Sequence, residues 1–320
     1  MRVGIAGYGN LGRSLEGLIA ESNDLELKGI FTRRDVSEVA SLGGKVYHIS
    51  ELEVRDDIDV LFLCFGSSTD LPLLAPHFAE RFSTVDAFDT HASIEKYKDD
   101  MDRAARSGGN VSVISCGWDP GFLSIIRLYA SAFLPHSAVN TFWGRGVSQG
   151  HSEALRKIKG VRHAIQYTVP RADAITLATL VRHSIDDTDR HRRVCYVVAD
   201  DGAEDHIKEK ILSMENYFAG YQTEIHFVSE TEFLSQHRSI SHRGRIYALG
   251  NSGKYNEHRH SLYLDVEMDS NPDFTASIAL CAAYAIEKIK RGGGVGAYTP
   301  LDIPPSYFVL KNCKNANNYL

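Results

Sequence analysis

The residues best placed to do chemistry lie close to the N-terminus, where an apolar run ends in a Gly-x-Gly-x-x-Gly motif. Its glycines are Gly7, Gly9 and Gly12. In this motif the first glycine permits the turn out of a strand, the second lets the backbone approach a pyrophosphate, and the third lets the next helix pack on the sheet. A strand pattern precedes the motif and an amphipathic helix pattern follows it, as the chemistry requires. The sequence therefore predicts a dinucleotide site formed by Gly7, Tyr8, Gly9, Asn10, Leu11 and Gly12.

The residues after the second predicted strand, at 25–31, indicate which dinucleotide binds. NAD-binding units commonly place a carboxylate there, about 20 residues after the glycines, to hold the ribose 2′-hydroxyl. This chain has Thr32, Arg33 and Arg34 instead. Because a carboxylate would repel a 2′-phosphate while guanidinium groups offer it planar donors, the segment favours NADP as cofactor. The alternative is a pair of solvated surface arginines.

A hydroxyl-rich segment follows the strand predicted at 59–65. It lies at the carboxyl edge of the predicted sheet, where open α/β sheets bind ligands. Its hydroxyls and backbone are predicted to line the cofactor, with a helix N-cap as the alternative role. The segment consists of Gly66, Ser67, Ser68 and Thr69.

Two carboxylates follow the next predicted strands. Asp89 comes after the strand predicted at 83–87, and Asp119 after the one at 111–115. Because strands that are neighbours in sequence are often neighbours in space, both carboxylates are predicted to face one crevice. The alternatives are a turn aspartate for Asp89 and an N-cap for Asp119, with Pro120 as the first helical residue.

The second half of the chain carries a glycine-rich polar segment and isolated cations. Residues 144–152 are predicted to form a binding loop between a strand and a helix. Arg193 leads into a strand predicted at 194–199, and His242 lies in a predicted loop. Clustered histidine and arginine side chains most often form a solvated face, so their weight depends on what surrounds them.

The elements that must position these residues change in type near residue 120. Residues 1–115 alternate strand and helix patterns, typical of a parallel, doubly wound α/β sheet of the Rossmann type. Residues 139–264 show mainly strand patterns, which indicate an α+β domain with a mainly antiparallel sheet. A last helix, at 273–291, is predicted to return to the first domain. We predict a dinucleotide-binding domain at 1–120 plus 271–310 and a substrate-binding domain at 121–270.

Composition excludes several classes of protein. The 320 residues carry 35 basic and 41 acidic side chains, a net charge of −6, so no basic footprint for nucleic acid exists. No apolar stretch approaches the roughly 20 residues of a membrane span, and a strand pattern at the first residues leads us to expect no signal peptide. Five scattered cysteines fit neither a disulfide framework nor a zinc site. We expect free thiols, no metal and a cytoplasmic location.

These segments together resemble the meso-diaminopimelate D-dehydrogenase family. The most specific stretches are Gly-Trp-Asp-Pro-Gly at 117–121 and Trp-Gly-x-Gly-x-Ser-Gln-Gly-His-Ser at 143–152. The resemblance implies NADP-dependent, reversible oxidative deamination of meso-2,6-diaminopimelate at its D-centre. The products would be ammonia and L-2-amino-6-oxopimelate, which cyclises to tetrahydrodipicolinate. It also implies a homodimer built through the second domain and a role in lysine and cell-wall precursor synthesis. The matching stretches span nearly the whole chain, at 7–13, 31–34, 59–64, 117–121, 141–152, 166–168 and 271–276.

The resemblance also implies roles for single residues. Asp89 and Asp119 would hold the D-centre amino group, with Trp118 alongside. Gln149 and Gly150 would lie by the D-centre carboxylate. The L-centre carboxylate would be received by Thr168, Arg193 and His242. The pocket would be completed by Phe142 and Asn271, and the cofactor site by Pro120 and Gly121.

Two other functions compete with this interpretation. Sugar and inositol dehydrogenases share the two-domain plan but typically carry Glu-Lys-Pro after the fifth strand. Here that position reads Ala87-Phe88-Asp89, which counts against the sugar class. A non-catalytic NADP(H) sensor would keep the glycines and arginines but would not need a crevice lined by two acids, arginine and histidine.

Overall fold

The structure, a computed structural model, describes residues 1–215, 217–237 and 241–309, with only the backbone of Gln149. The chain divides into two compact units. Unit 1 comprises Met1–Ile126 and the chain from Pro272 onward, and unit 2 comprises Arg127–Asn271. The domain bounds inferred from the sequence stay a prediction, and their last residue, 310, lies outside the described residues.

Unit 1 is built on a seven-stranded, fully parallel sheet of order β14-β6-β5-β4-β1-β2-β3. The doubly wound sheet predicted from the sequence is confirmed. Its strands, numbered along the whole chain, are β1 (Arg2–Ala6), β2 (Glu26–Thr32), β3 (Val46–His48), β4 (Val60–Leu63), β5 (Ser83–Asp86), β6 (Val111–Val113) and β14 (Gly296–Tyr298). Its helices are α1 (Asn10–Ala20), α2 (Asp70–Ala79), α3 (Ile94–Ser107), most of α10 (Asn271–Arg291) and the start of α4 (Phe122–Phe133). Short 3-10 helices occupy Val36–Glu38, Ile49–Val54, His91–Ser93, Pro300–Asp302 and Pro305–Tyr307.

The sheet of unit 1 is covered on both faces, which explains the continuous apolar run of β4. Val60 and Phe62 enter one core cluster, while Leu61 and Leu63 enter the other. Because successive strand residues point to opposite faces, a strand buried on both sides needs apolar residues throughout. The cluster that contains Val60 also includes residues of α1 and α10, so the last helix packs within this unit.

Unit 2 contains two smaller sheets. One has the order β11-β10-β9-β8 and the other β13-β12-β7. All their strand pairs are antiparallel except β10 with β11, so the mainly antiparallel sheet is confirmed. The strands are β7 (Ala138–Trp143), β8 (Gly146–Val147), β9 (Val161–Pro170), β10 (His191–Ala199), β11 (Gln222–Phe227), β12 (His242–Ser252) and β13 (His258–Met268). The helices are α5 (Gln149–Arg156), α6 (Ala172–Ala178), α7 (Asp187–Arg190), α8 (Glu204–Leu212) and α9 (Glu230–Gln236). Within the described part of the chain, no helix combines the length and apolarity needed to cross a bilayer.

Candidate active site

The glycine motif forms a tight turn between β1 and α1. Gly7 has a φ of +93°, and a Cβ there would lie 2.7 Å from the carbonyl oxygen of Cys64. A Cβ on Gly12 would collide with the carbonyl oxygen of Gly7, so the first and third glycines are required by packing. At Gly9 a Cβ would meet no atom within 4 Å, which leaves open space above the turn. A pyrophosphate bound at this turn would need that room.

A buried carboxylate supports the same turn. Glu16 accepts hydrogen bonds from the Tyr8 hydroxyl and from the backbone N–H groups of Leu42 (3.0 Å) and Gly44 (2.7 Å). Burial alone would raise the pKa of Glu16, but these donors outweigh it and lower the pKa. Burial and the neighbouring carboxylate raise the pKa of Tyr8 to about 12. The turn is therefore joined to the segment that follows β2, a support that the sequence analysis missed.

The three residues predicted to select NADP lie at the end of β2, beside β1. Thr32 is buried, and its hydroxyl accepts a hydrogen bond from the Arg34 backbone N–H (3.1 Å). The Arg34 guanidinium donates to the Tyr8 carbonyl oxygen (2.5 Å), so it borders the glycine turn. Arg33 is half-exposed and forms a two-pronged ion pair with the Asp70 carboxylate. This two-pronged geometry is the one that also suits a 2′-phosphate, although Asp70 occupies the guanidinium in this structure.

The hydroxyl-rich segment leaves the carboxyl end of β4, next to β1 in the sheet. The Gly66 carbonyl oxygen accepts from the N–H groups of Asp70 (3.1 Å) and Leu71 (3.0 Å), which begins α2. Thr69 precedes α2 without a side-chain capping bond, and Ser68 is exposed. The segment is therefore open to solvent at the sheet edge.

Asp89 and Asp119 lie on loops that leave neighbouring strands. Strand β5 ends at Asp86, and strand β6 pairs with β5 in parallel. Both loops therefore start from the same edge of the sheet. Asp89 is exposed, and its backbone N–H donates to the Ser67 hydroxyl (2.8 Å). Asp119 is half-buried. The arrangement predicted for the two carboxylates is thus compatible with the described topology.

The loop that carries Asp119 is closed on itself. The Gly117 N–H donates to the Pro120 carbonyl oxygen (3.0 Å), and a Cβ on Gly121, whose φ is +129°, would collide with Gly117. Trp118 is only 8% exposed. Helix α4 begins at Phe122, after a cis Asp119–Pro120 bond, so Pro120 is not its first residue. The N-cap alternative for Asp119 is therefore wrong, because the tight loop delays the start of the helix.

Unit 2 buries a cation beside a hydroxyl. Arg193 and Thr168 are directly opposed in the β9–β10 pair, and the Arg193 Nη1 donates to the Thr168 hydroxyl (2.7 Å). Arg193 is only 7% exposed, and its guanidinium lies 4.0 Å from the centre of the Tyr221 ring. Its Nε is buried with no hydrogen-bond partner among the described residues. Desolvation lowers the pKa of Arg193, yet a guanidinium stays charged in proteins. A buried cation with an unused donor is suited to binding an anion.

His242 lies in a strand rather than in the loop predicted for it. It is the first residue of β12 and is only 7% exposed. A Cβ on Gly146 would lie 2.5 Å from the His242 ring, so the two residues are in close contact. Gly146 in turn pairs with Thr168 across β8 and β9. The loop prediction was wrong. Gly244 interrupts the apolar pattern of the sequence, but in the structure it pairs with both neighbouring strands of β12.

Known proteins match this chain over its whole length. A family model described as the diaminopimelic acid dehydrogenase C-terminal domain matches residues 117–270. The meso-diaminopimelate D-dehydrogenase of Acetivibrio thermocellus is 43% identical over an alignment that covers 100% of this chain and 97% of that protein. The chain belongs to the meso-diaminopimelate D-dehydrogenase family.

Solved structures extend the family likeness to the fold. The C. glutamicum DAP dehydrogenase in complex with DAP matches with a TM-score of 0.92 and 42% identity, covering 98% of this chain and 96% of that chain. An engineered D-amino acid dehydrogenase bound to NADP+ matches with a TM-score of 0.87 and 40% identity, covering 98% of this chain and 97% of that chain. The likeness therefore includes both units of this family member.

Four other residues predicted for the site lie in different parts of the structure: Phe142, Gln149, Gly150 and Asn271. Phe142 is fully buried in a core cluster with Ala174, Ala178 and Ile185, so its visible role is packing. Gly150 is exposed on α5, and the Gln149 side chain lies outside the described residues. Asn271 is half-buried at the start of α10. Their contacts with a substrate stay predictions.

Tyr221 was missed by the sequence analysis. Its ring lies against Arg193, and its hydroxyl donates to Asp187 Oδ2 (3.1 Å). Burial alone would raise the pKa of Asp187, but His191 and Arg190 hold it well below its usual range. An ionised Asp187 therefore anchors the ring on which the Arg193 guanidinium rests. No local motif marks Tyr221, because its role depends on the parallel pairing of β10 with β11.

Proposed function

We propose that this protein catalyses the NADP-dependent, reversible oxidative deamination of meso-2,6-diaminopimelate at its D-centre. In the forward direction the D-centre ammonium loses a proton to solvent, its nitrogen then forms a C=N bond as the C–H bond breaks, and the hydride reduces NADP+. Water then hydrolyses the resulting imine, which gives ammonia and L-2-amino-6-oxopimelate. The single observation that carries the proposal is identity of 43% across the whole chain to a protein of that activity.

The cofactor is proposed to bind at the edge of the unit 1 sheet. When bound, NADP+ supplies the hydride acceptor. The open space at Gly9 suits the pyrophosphate, and Arg33 with Arg34 suits the 2′-phosphate. The residues proposed to complete this site are Gly7, Tyr8, Asn10, Leu11, Gly12, Thr32, Gly66, Ser67, Ser68, Thr69, Pro120 and Gly121.

Asp89 and Asp119 are proposed to hold the amino group of the D-centre, with Trp118 beside them. A substrate ammonium needs anionic acceptors, and two carboxylates at one sheet edge supply them. With the ammonium fixed, the direction of the C–H bond that is broken is fixed too. Gln149 and Gly150 are proposed for the carboxylate of the same centre.

The far carboxylate of the substrate is proposed to bind Arg193, Thr168 and His242. The unpartnered Nε of Arg193 supports this assignment, because an anion would satisfy it. The site would thereby reject amino acids that lack a second carboxylate, since a buried cation would be left unpaired. Phe142 and Asn271 are proposed to complete the pocket.

Two further properties are proposed. The protein is proposed to form a homodimer through unit 2, which light scattering of the purified protein would test. It is proposed to act in the cytoplasm in lysine and cell-wall precursor synthesis. Free thiols at Cys64, Cys116, Cys195 and Cys281 are compatible with a reducing compartment.

The experiment that tests the function is a cofactor-resolved assay in both directions. With meso-diaminopimelate, NADP+ should be reduced and NAD+ should not, and ammonia should accumulate in equal amount. With tetrahydrodipicolinate, ammonia and NADPH, the reverse reaction should consume NADPH. Binding of NADP+ without either reaction would instead favour the sensor.

A further inference from the structure

A buried carboxylate joins the two loops that carry Asp89 and Asp119. Asp86, the last residue of β5, is 2% exposed. Its Oδ1 accepts hydrogen bonds from the backbone N–H groups of Phe88 (2.9 Å) and Ser115 (3.1 Å). These two residues lie at the beginning of the two loops. One oxygen atom therefore fixes the start of both loops.

Two further contacts strengthen this junction. The Asp86 backbone carbonyl oxygen accepts from the Cys116 N–H (2.8 Å), on the loop toward Asp119. The Asp86 Oδ2 accepts from the Tyr97 hydroxyl (2.8 Å), and the Tyr97 ring stacks on Phe88 at 4.1 Å between centroids. Tyr97 is 3% exposed and Phe88 is fully buried. The carboxylate and the ring thus both hold Phe88, the residue before Asp89.

The groups that face the Asp86 carboxyl are all donors: two backbone N–H groups and one hydroxyl. A charged acceptor binds backbone N–H groups about twice as strongly as a neutral one. Burial raises the pKa of Asp86 to about 6, while the Phe88 and Ser115 N–H groups and the Tyr97 hydroxyl lower it. The acceptor form therefore prevails at neutral pH.

We propose that Asp86, supported by Tyr97, is a positioning residue that sets where Asp89 and Asp119 meet the substrate's amino group. This inference rests on the proposed function, because it acts through the two carboxylates assigned there. Misplacement of reacting groups by about 1 Å can lower a rate by roughly a hundredfold. Loosening one junction would displace both carboxylates together.

The test compares Asp86→Asn and Tyr97→Phe with the control Thr84→Val. Thr84 lies two residues earlier on the same face of β5, and its buried hydroxyl donates to Ser112 of β6 (2.8 Å). The control therefore removes a buried hydrogen bond between the same strands, away from the loops. Each variant is measured for Tm, Kd for NADP+, and kcat with meso-diaminopimelate that carries hydrogen or deuterium at its D-centre Cα.

We expect Asp86→Asn to lower kcat about tenfold or more, with an isotope effect larger than that of the unmodified protein. Tyr97→Phe, which keeps the ring on Phe88, should have a smaller effect of the same kind. A merely structural role would lower Tm and the fraction of folded protein, but it would leave the isotope effect unchanged. The Kd for NADP+ should stay near the unmodified value.

Two results would overturn the inference. One is an unmodified kcat and isotope effect in both Asp86→Asn and Tyr97→Phe. The other is an equal fall in kcat and equal rise in isotope effect in Thr84→Val. If the unmodified protein does not oxidise meso-diaminopimelate, the proposed function itself fails, whatever the variants do.

Discussion

Replacing Arg193 by lysine tests the binding of the far carboxylate, because it keeps the charge and removes the planar fork. The guanidinium reaches Thr168 through Nη1 and rests on the Tyr221 ring, which leaves Nε to bind an anion. A lysine ammonium is a point charge and cannot make both contacts. Loss of one charge-assisted hydrogen bond costs about 1.5–3 kcal/mol, or roughly a 10- to 150-fold fall in kcat/KM.

Most of that loss should appear in KM. The far carboxylate does not react, so its binding contributes similarly to the ground state and the transition state. The assay is steady-state kinetics with meso-diaminopimelate at saturating NADP+, together with Tm to establish folding. The Kd for NADP+ should not change, because unit 1 carries the residues proposed for the cofactor.

Arg192→Lys is the matched control. Arg192 is the neighbouring residue on β10, points to the other sheet face, and forms a partly exposed ion pair with Glu224. It should keep kcat and KM near the unmodified values, since such pairs contribute little. An unmodified KM in Arg193→Lys, or the same loss in Arg192→Lys, would exclude Arg193 as the partner of the far carboxylate.

Three further predictions concern unit 1. Arg33→Ala should weaken NADP+ binding by about 1–3 kcal/mol with little effect on NAD+, measured by titration of each cofactor; equal losses for both would contradict a 2′-phosphate contact. Asp119→Asn should keep Tm near that of the unmodified protein yet lose much of the deamination rate, and full activity would exclude Asp119 from the site. Because burial raises the pKa of Asp86 from 3.8 to about 6, the folded state holds this proton more tightly than the unfolded chain. The stability that the protonated group contributes is therefore present below about pH 4 and is lost as pH rises through about 6. The loss amounts to about 3 kcal/mol of the free energy of unfolding, and urea unfolding of Asp86→Asn should not show it.

The parts of the fold that follow local rules were predictable from the sequence. The turn at Gly7 needs a positive φ, and the continuous apolar run of β4 needs cover on both faces. Both requirements depend on residues that are consecutive in the sequence. The position of Asp89 after β5 followed from the same alternation of strands and helices.

What could not be predicted depends on contacts between distant residues. Pro120 looked like the first residue of a helix, but closure of the loop between Gly117 and Gly121 delays the helix. The role of Asp86 depends on Ser115, in the loop after the next strand, and that of Tyr221 on Arg193, on a neighbouring strand. Such roles arise from strand pairing, which no short pattern specifies.

Transfer of the D-centre hydrogen to the cofactor is the step that defines the proposed activity. The unmodified protein is given NADP+ and meso-diaminopimelate that carries deuterium only at the D-centre Cα, and the nicotinamide product and the amino acid product are analysed by mass spectrometry. We expect deuterium to move to NADPH, one ammonia to be released per NADPH, and the product to keep its L-centre. NADPH without deuterium, or oxidation of the L,L isomer at the same rate, would contradict it.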